Sequence, residues 1–527
     1  MQRPGQAVPS RLRLALQQVP FAARDSDVPT LGREAAAQGF VLCLVQCRVS
    51  LVGAAQVDQD LAQVAQRDGL AERIAGPHRH GHGHGFARAG QRATDESVPL
   101  TRARGLPNVG ASATYNEFVE TGSLSFNAAA RQLNLGLQLT VPIYQGGAIR
   151  NGLRAADARV SAGQAGLLDT ELSIFSQVVG AYLDVIRDSA IVSLNRGQVG
   201  VLRTNLQATQ DRFEVGDLTR TDVAQSQARL SLAQGQFEQA QALLIASKES
   251  YIRLVGSPPV MLEPPPPLPN LPVTPDAAVT IAIDNNPGLA AAIRRRDASR
   301  FDVNVARASR LPSVAAIASE SYQNFLGSLG GGMGRSPVQS TRSTTVGLQA
   351  TIPLFQGGGP GAQVRQAQAF EAQAIEAVTL TERSIVAQTR ASFASYRASN
   401  ELIVSSESAV AASTLALEGV RAENGVGNRT ILEILNAEQE LLNSQVNLVS
   451  ARRNAYVAGF SLLAAMGRAG ANDLGLDGGA LYDPQVNYNR VRRSINDWAS
   501  DGQPRPVATR TVDSPAQTPA LLGPQLP

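Results

Sequence analysis

Leu133, Leu135, Leu137, Leu139 and Val141 alternate with Gln132, Asn134, Gly136, Gln138 and Thr140. Strict alternation of this kind predicts a strand with one apolar and one polar face. The pattern returns as Val346, Leu348, Ala350 and Ile352 against Thr345, Gly347, Gln349 and Thr351. A weaker alternation precedes each copy, at Val109, Ala111, Ala113 and Tyr115 and again at Val314, Ala316 and Ala318. Polar connections containing Gly and Ser join each pair, so two hairpins are expected. Either they are half-buried on a soluble core, or they are barrel strands with lipid outside and water inside. About ten residues is the length a tilted transmembrane strand needs.

Beyond each hairpin the period becomes helical. Leu168, Leu172, Phe175, Val179, Tyr182 and Ile186 step by four and three. Val223, Leu230, Phe237, Leu244 and Tyr251 recur every seven residues, as do Ile434, Leu441, Leu448, Ala455 and Leu462. A seven-residue apolar repeat winds packed helices into a left-handed coiled coil. A helix filling the interval from Gly147 to Gly216 would run about 68 residues, roughly 100 Å at 1.5 Å per residue. Gly216 and Gly427 suit the left-handed position that ends a helix, and Thr219 and Thr430 suit the N-cap or first turn of the next.

These elements occur twice. Leu137-Gln-Leu-Thr-Val-Pro-Ile-Tyr-Gln-Gly-Gly147 matches Leu348-Gln-Ala-Thr-Ile-Pro-Leu-Phe-Gln-Gly-Gly358, an offset of 211 (348 − 137). That offset also carries Arg154 onto Arg365, Gly216 onto Gly427, Thr219 onto Thr430 and Asp222 onto Glu433. Upstream, Leu106-Pro107-Asn108-Val109 matches Leu311-Pro312-Ser313-Val314 at 205 (311 − 106). The chain is an internal duplication of strand, strand, very long helix, tight turn and returning helix. Two hairpins supply four strands, which cannot close a barrel. Open edges in lipid leave N–H and C=O groups unpaired at several kcal/mol each, so if the strands are transmembrane, further copies must complete the barrel.

Composition narrows the function classes. Of 527 residues 17% are charged, against roughly 25% in an ordinary soluble domain, and no apolar run approaches the roughly 18 residues of a membrane-spanning helix. The net charge of +3 is too small to argue for nucleic acid. Lys248 is the only lysine. Cys43 and Cys47 form no disulfide framework and are read as incidental. All four histidines lie in the Gly-His tract His78 to His84, which lacks the rigid frame of a metal site. No Ser/His/Asp or Cys/His arrangement can be built from them, so no catalytic, metal or cofactor site is expected. Gly330-Gly-Gly-Met-Gly-Arg335 lacks the lysine of a phosphate loop and is expected to be a loop at the barrel's outer mouth.

The two copies of [Val/Ile]-Pro-x-[Tyr/Phe]-Gln-Gly-Gly and the two Val-Gly-x-x-Thr turns resemble the TolC-like outer-membrane efflux and type I secretion channels. The resemblance runs from about Ala93 to about Tyr488. It implies an α+β membrane protein of the outer membrane. Three copies would close a twelve-stranded β-barrel, and their helices would form a periplasmic tunnel. It implies a homotrimer embedded in outer-membrane lipid, a periplasmic adaptor protein touching the turns Gly216, Thr219, Gly427 and Thr430, and an inner-membrane transporter. Strand would meet helix at Pro142, Gly146 and Gly147, and at Pro353, Gly357 and Gly358. At the tip, Arg429 would engage Asp222 to hold a closed gate. Three Glu433 side chains would favour cations there, and Asn436 stands where family members place another acid. The alternative is a soluble periplasmic coiled-coil adaptor or structural protein, which would need compact β-domains in place of two lipid-length hairpins.

The expected organisation is a first repeat at 92–257, a Pro-rich linker at 258–273, a second repeat at 274–469 and a largely disordered tail at 470–527. Thr274 to Asp297, with Asn286-Pro-Gly-Leu289, resembles the helix that opens a repeat in this family. Its counterpart near 69–92 has no visible match. Residues 1–91, which also lack an export signal, are expected to be disordered or non-native and to contribute nothing to the channel fold.

Overall fold

The computed structural model describes residues 82–119, 129–260, 262–330, 337–471, 473–474, 482–506 and 510–518. Cys43, Cys47, His78, His80 and most of the Gly330–Arg335 loop lie outside them.

In chain order the first repeat comprises α1 (His82–Asp95), α2 (Ser97–Ala103), β1 (Asn108–Glu117), β2 (Arg131–Gln145), α3 (Ala148–Glu214) and α4 (Arg220–Val255). The second comprises α5 (Pro275–Asn285), α6 (Pro287–Ala308), β3 (Ser313–Asn324), β4 (Ser340–Thr351), α7 (Gly359–Gly425) and α8 (Ile431–Ala465), with α9 (Pro484–Val491) after it. The two long helices, α3 and α7, are each 67 residues. No described helix is long and apolar enough to cross a membrane.

The strands form one antiparallel sheet in the order β1-β2-β3-β4. Val109 stands opposite Leu139 in the first hairpin, and their repeat equivalents Val314 and Ala350 stand opposite each other in the second. The duplication therefore extends to register. Because opposed residues share a face, Val109, Leu139, Ala318 and Val346 line one side of the sheet, and Gly110, Gln138, Ser319 and Thr345 the other. Charges interrupt the apolar face in opposite-sign pairs: Glu320, opposite Leu137, is ion-paired with Arg342, which stands opposite Tyr322, and Glu117 stands opposite Arg131.

The helices pack where the apolar period predicts. Phe175, Val179 and Tyr182 of α3, Tyr251 of α4, Ala278 and Ala282 of α5, Leu462 of α8 and Met466 just after it share one core. Leu168, which continues the four-three spacing, is instead 55% exposed. The described residues of the Pro-rich segment form no helix or strand and are anchored to this core. The Tyr182 hydroxyl donates to the carbonyl of Glu263 at 2.7 Å and accepts its N–H at 3.0 Å.

Two expected boundaries shift. At the 205-residue offset, α6 (Pro287–Ala308) falls on 82–103, the span of α1 and α2. The first repeat thus has the counterpart of α6, starting at His82 rather than at 92. Its Gly-His start has poor helix propensity and hides this from a sequence reading. Packing compensates: Gln91 and Asp95 are buried, and Gln91 Nε2 donates to the Val160 carbonyl of α3 at 3.3 Å. The tail is also not without structure. Helix α9 docks on α1 and α3, where Asn487 Nδ2 donates to Asp95 Oδ2 at 2.7 Å and the Tyr488 hydroxyl to Asp157 Oδ1 at 2.9 Å.

Candidate functional site

At one end of the helices each repeat makes a tight turn. Helix α3 ends at Glu214 with Val215 as its C-cap, and Gly216 has φ +82°. Gly427 repeats this after α7 with φ +84°. A Cβ at either would meet no neighbour, so glycine is needed there for the left-handed backbone alone. Asp217 N–H closes the first turn on the Arg212 carbonyl at 2.9 Å, and Asn428 N–H the second on Glu423 at 2.9 Å.

Thr219 and Thr430 start the returning helices as expected. The Asp222 carboxylate accepts the Thr219 N–H at 2.9 Å and its hydroxyl at 2.7 Å. Glu433 does the same for Thr430, at 2.8 and 3.0 Å. Each acid sits three residues after its threonine and satisfies donors that a helix start leaves free. The expected gate residues divide among different partners. Arg429 Nε donates to Glu423 at 2.6 Å and its Nη1 to Glu433 at 2.6 Å. Within the chain Arg429 does not pair with Asp222, because Thr219 occupies the Asp222 carboxylate while two acids on Arg429's own hairpin lie closer. Asn436 is held from α4, accepting Arg229 Nη2 at 2.7 Å.

The hydrogen bonds to Thr219 hold Asp222 below the usual carboxylate range. Glu433 is pushed down to about 2, first by the Thr430 N–H and then by Arg429. Arg429 is held above its ordinary value by Glu423 and then Glu433. A depressed carboxylate stabilises the fold fully above its unfolded value near 4.5 and loses that contribution as pH falls through the folded value. The second turn should therefore keep its acid cap from neutral pH down to about 4.5, losing it only towards about 2. A carbon-13 titration of the Glu433 carboxyl should give a midpoint near 2; a midpoint at the ordinary glutamate value would discard the capped geometry.

One cluster was not expected from sequence. Glu438 of α8 is 3% exposed and accepts Asn205 Nδ2 of α3 at 2.9 and 3.0 Å and Arg421 Nη2 of α7 at 3.1 Å. The available signal was its place on the apolar stripe, four residues after Ile434 and three after Leu435. Beside it, Leu206 of α3, Leu230 and Phe237 of α4 and Leu435 of α8 form the core nearest the tip.

The strand-to-helix junctions lie where the repeated motif places them. Gly146 and Gly147 have φ +60° and +83°, and Gly357 and Gly358 φ +58° and +82°. A Cβ on Gly146 would lie 2.8 Å from Leu311 and 2.9 Å from the Ala308 carbonyl. Pro142 sits at a register shift between β2 and β3, and Pro353 follows the end of β4. Here chain leaves sheet for helix.

The profile of the outer membrane efflux proteins matches residues 86–257 and 278–468, both repeats. The chain belongs to that family. The outer membrane efflux protein BepC of Brucella suis is 29% identical over 430 residues, covering 82% of this chain and 92% of that protein. The outer membrane protein TolC of Escherichia coli is 26% identical over 452 residues, covering 80% and 88%. Among solved structures, the Vibrio cholerae outer membrane protein VceC superposes with a TM-score of 0.65 at 22% identity, covering 76% of this chain and 96% of that one. The chain is an outer-membrane export channel protein whose helices extend into the periplasm. Membership of this family of outer-membrane channels sets the soluble-adaptor alternative aside.

Proposed function

We propose that three copies close a twelve-stranded barrel and a continuous helical tunnel. This duct carries small molecules or secreted polypeptides from an inner-membrane transporter, with a periplasmic adaptor on the two turns. No catalytic step belongs to it. The observation that carries this reading is the sheet. It has lipid-length strands, one apolar face, and two unpaired edges, β1 and β4, that lipid does not tolerate. Helix α7 supports it, since it buries five of its 67 residues within the chain and leaves Phe370, Leu380 and Leu415 more than half exposed.

The duplication specifies how the edges meet. Leu139 of β2 lies opposite Ala318 of β3. Adding 211 to the first and subtracting 205 from the second puts Ala350 of β4 opposite Ala113 of β1 in a neighbouring copy. With Cys43 and Cys47 replaced by Ser, Ala113→Cys combined with Ala350→Cys should oxidise to a covalent trimer in outer-membrane fractions. Ala113→Cys with Thr351→Cys, whose side chains face opposite sides, should not. A water-soluble monomer, or equal cross-linking in both pairs, would sink the barrel.

A further inference from the structure

The charges are not spread evenly along the barrel. The ten residues adjoining the helical end of each strand are 98–107, 146–155, 303–312 and 352–361. They contain Arg102, Arg104, Arg150, Arg154, Arg307 and Arg310, and no Asp or Glu. The whole chain carries +3, so removing these six leaves −3 (3 − 6) for everything else. Among the described residues the opposite end is balanced: Glu117 and Glu320 against Arg131 and Arg342. The duplication keeps part of the feature: Arg102 maps onto Arg307 at 205, while Arg154 maps at 211 onto Arg365, four residues beyond the 352–361 interval (365 − 361). Arg102 is half-buried and the other collar arginines, with Arg365, are exposed. Arg154 lies over the Phe301 ring at 5.8 Å, and Arg310 Nη2 reaches the Pro360 carbonyl at 3.4 Å. Neither contact neutralises a charge.

The collar directly follows the apolar face of the sheet. Tyr144, Leu354 and Phe355 are 48%, 93% and 89% exposed at the strand ends, the position where aromatic and apolar residues mark a membrane–water boundary. We propose that this arginine collar binds the phosphate headgroups of anionic phospholipids in the periplasmic leaflet of the outer membrane, fixing the depth at which barrel passes into tunnel. Clustered cations next to a membrane surface attract anionic lipid over about a Debye length, and guanidinium groups hold phosphate by paired N–H donors. A balanced opposite rim gives no such preference, so the barrel is electrically asymmetric across the bilayer.

This inference rests on the trimeric barrel reading. The test therefore first confirms by fractionation that the full chain inserts as a trimer; a chain that does not insert overturns the barrel itself before any lipid is counted. Trimers reconstituted in phosphatidylethanolamine with phosphatidylglycerol are then extracted, and retained lipid is counted by native mass spectrometry. Phosphatidylglycerol should be enriched about fivefold over phosphatidylethanolamine at low salt and lose that enrichment near 1 M salt, where screening is nearly complete. Combining Arg102→Gln, Arg154→Gln, Arg307→Gln and Arg365→Gln should abolish the enrichment, and the corresponding Arg→Lys set should keep most of it. If the fourfold variant does not assemble, Arg102→Gln with Arg307→Gln alone should lower the enrichment measurably. Equal retention of both lipids by the unaltered protein would overturn the proposal. So would a Gln variant with unchanged lipid enrichment but altered ion selectivity, which would put these arginines in the lumen.

Discussion

Arg421→Ala should destabilise the tip half of the bundle by about 2–4 kcal/mol, because it strips a charge partner from an acid shut away from water. The Glu438 side chain is 2% exposed and that of Arg421 49%. The half-exposed arginine lowers the expected loss below that of a fully buried pair. Without it Glu438 keeps only the Asn205 amide. The opening should be local to α3, α7 and α8, so amide hydrogen exchange over residues 435–442 reads it directly. An acceleration of about thirtyfold or more corresponds to the lower bound. Replacing the whole cluster by apolar side chains (Asn205→Leu, Arg421→Met, Glu438→Met) should return exchange close to the starting rate, since no buried charge is left uncompensated. Unchanged exchange in Arg421→Ala would show that the cluster adds no stability.

Much of this architecture is written in side-chain periodicity. The Leu133–Val141 alternation locates β2, but the strand runs on to Gln145, because Pro142 lies at an irregularity that lets Tyr144 rejoin the pairing opposite Val314. The seven-residue stripe finds α4 and α8, and Phe237 and Leu462 on it are fully buried. The opening helix of the first repeat was not legible. Glycine and histidine predict loop, whereas the helix is held by tertiary contacts of Gln91 and Asp95 that no local pattern reports. Helix α9 was missed for the same reason, being short and polar and fixed through Asn487 and Tyr488.

The tip was legible as geometry and less so as pairing. Both turn glycines and both threonine caps follow from spacing. The partner of Arg429 does not, because counting residues from a turn says nothing about which of several nearby acids wins. Glu433 is four residues further along the same helix start, where side chains face each other, and Glu423 lies across the turn at 2.6 Å. Local pairs form without ordering a second hairpin.

That distinction sets the largest functional effect expected here. Arg429→Ser should raise the resting conductance of channels in planar bilayers several-fold. Its loss leaves Glu423 and Glu433 facing each other without a cation at the turn of α7 and α8, and in the proposed trimer each copy would repeat the defect around the shared constriction. A two-state tip then shifts toward its open arrangement. Asp222→Ala removes the acid cap of α4 and should open the channel less. Combining the two separates the mechanisms. If Arg429 acts through its own hairpin, the effects of Arg429→Ser and Asp222→Ala add as those of independent sites do, and Glu423→Gln with Glu433→Gln reproduces the arginine variant. If Arg429 instead bridges to Asp222 in the assembled channel, the double variant conducts no more than the stronger single one. Unchanged resting conductance in all of these variants would remove the tip charges from the gate altogether, leaving closure to the packing of Leu206, Phe237 and Leu435 beside them.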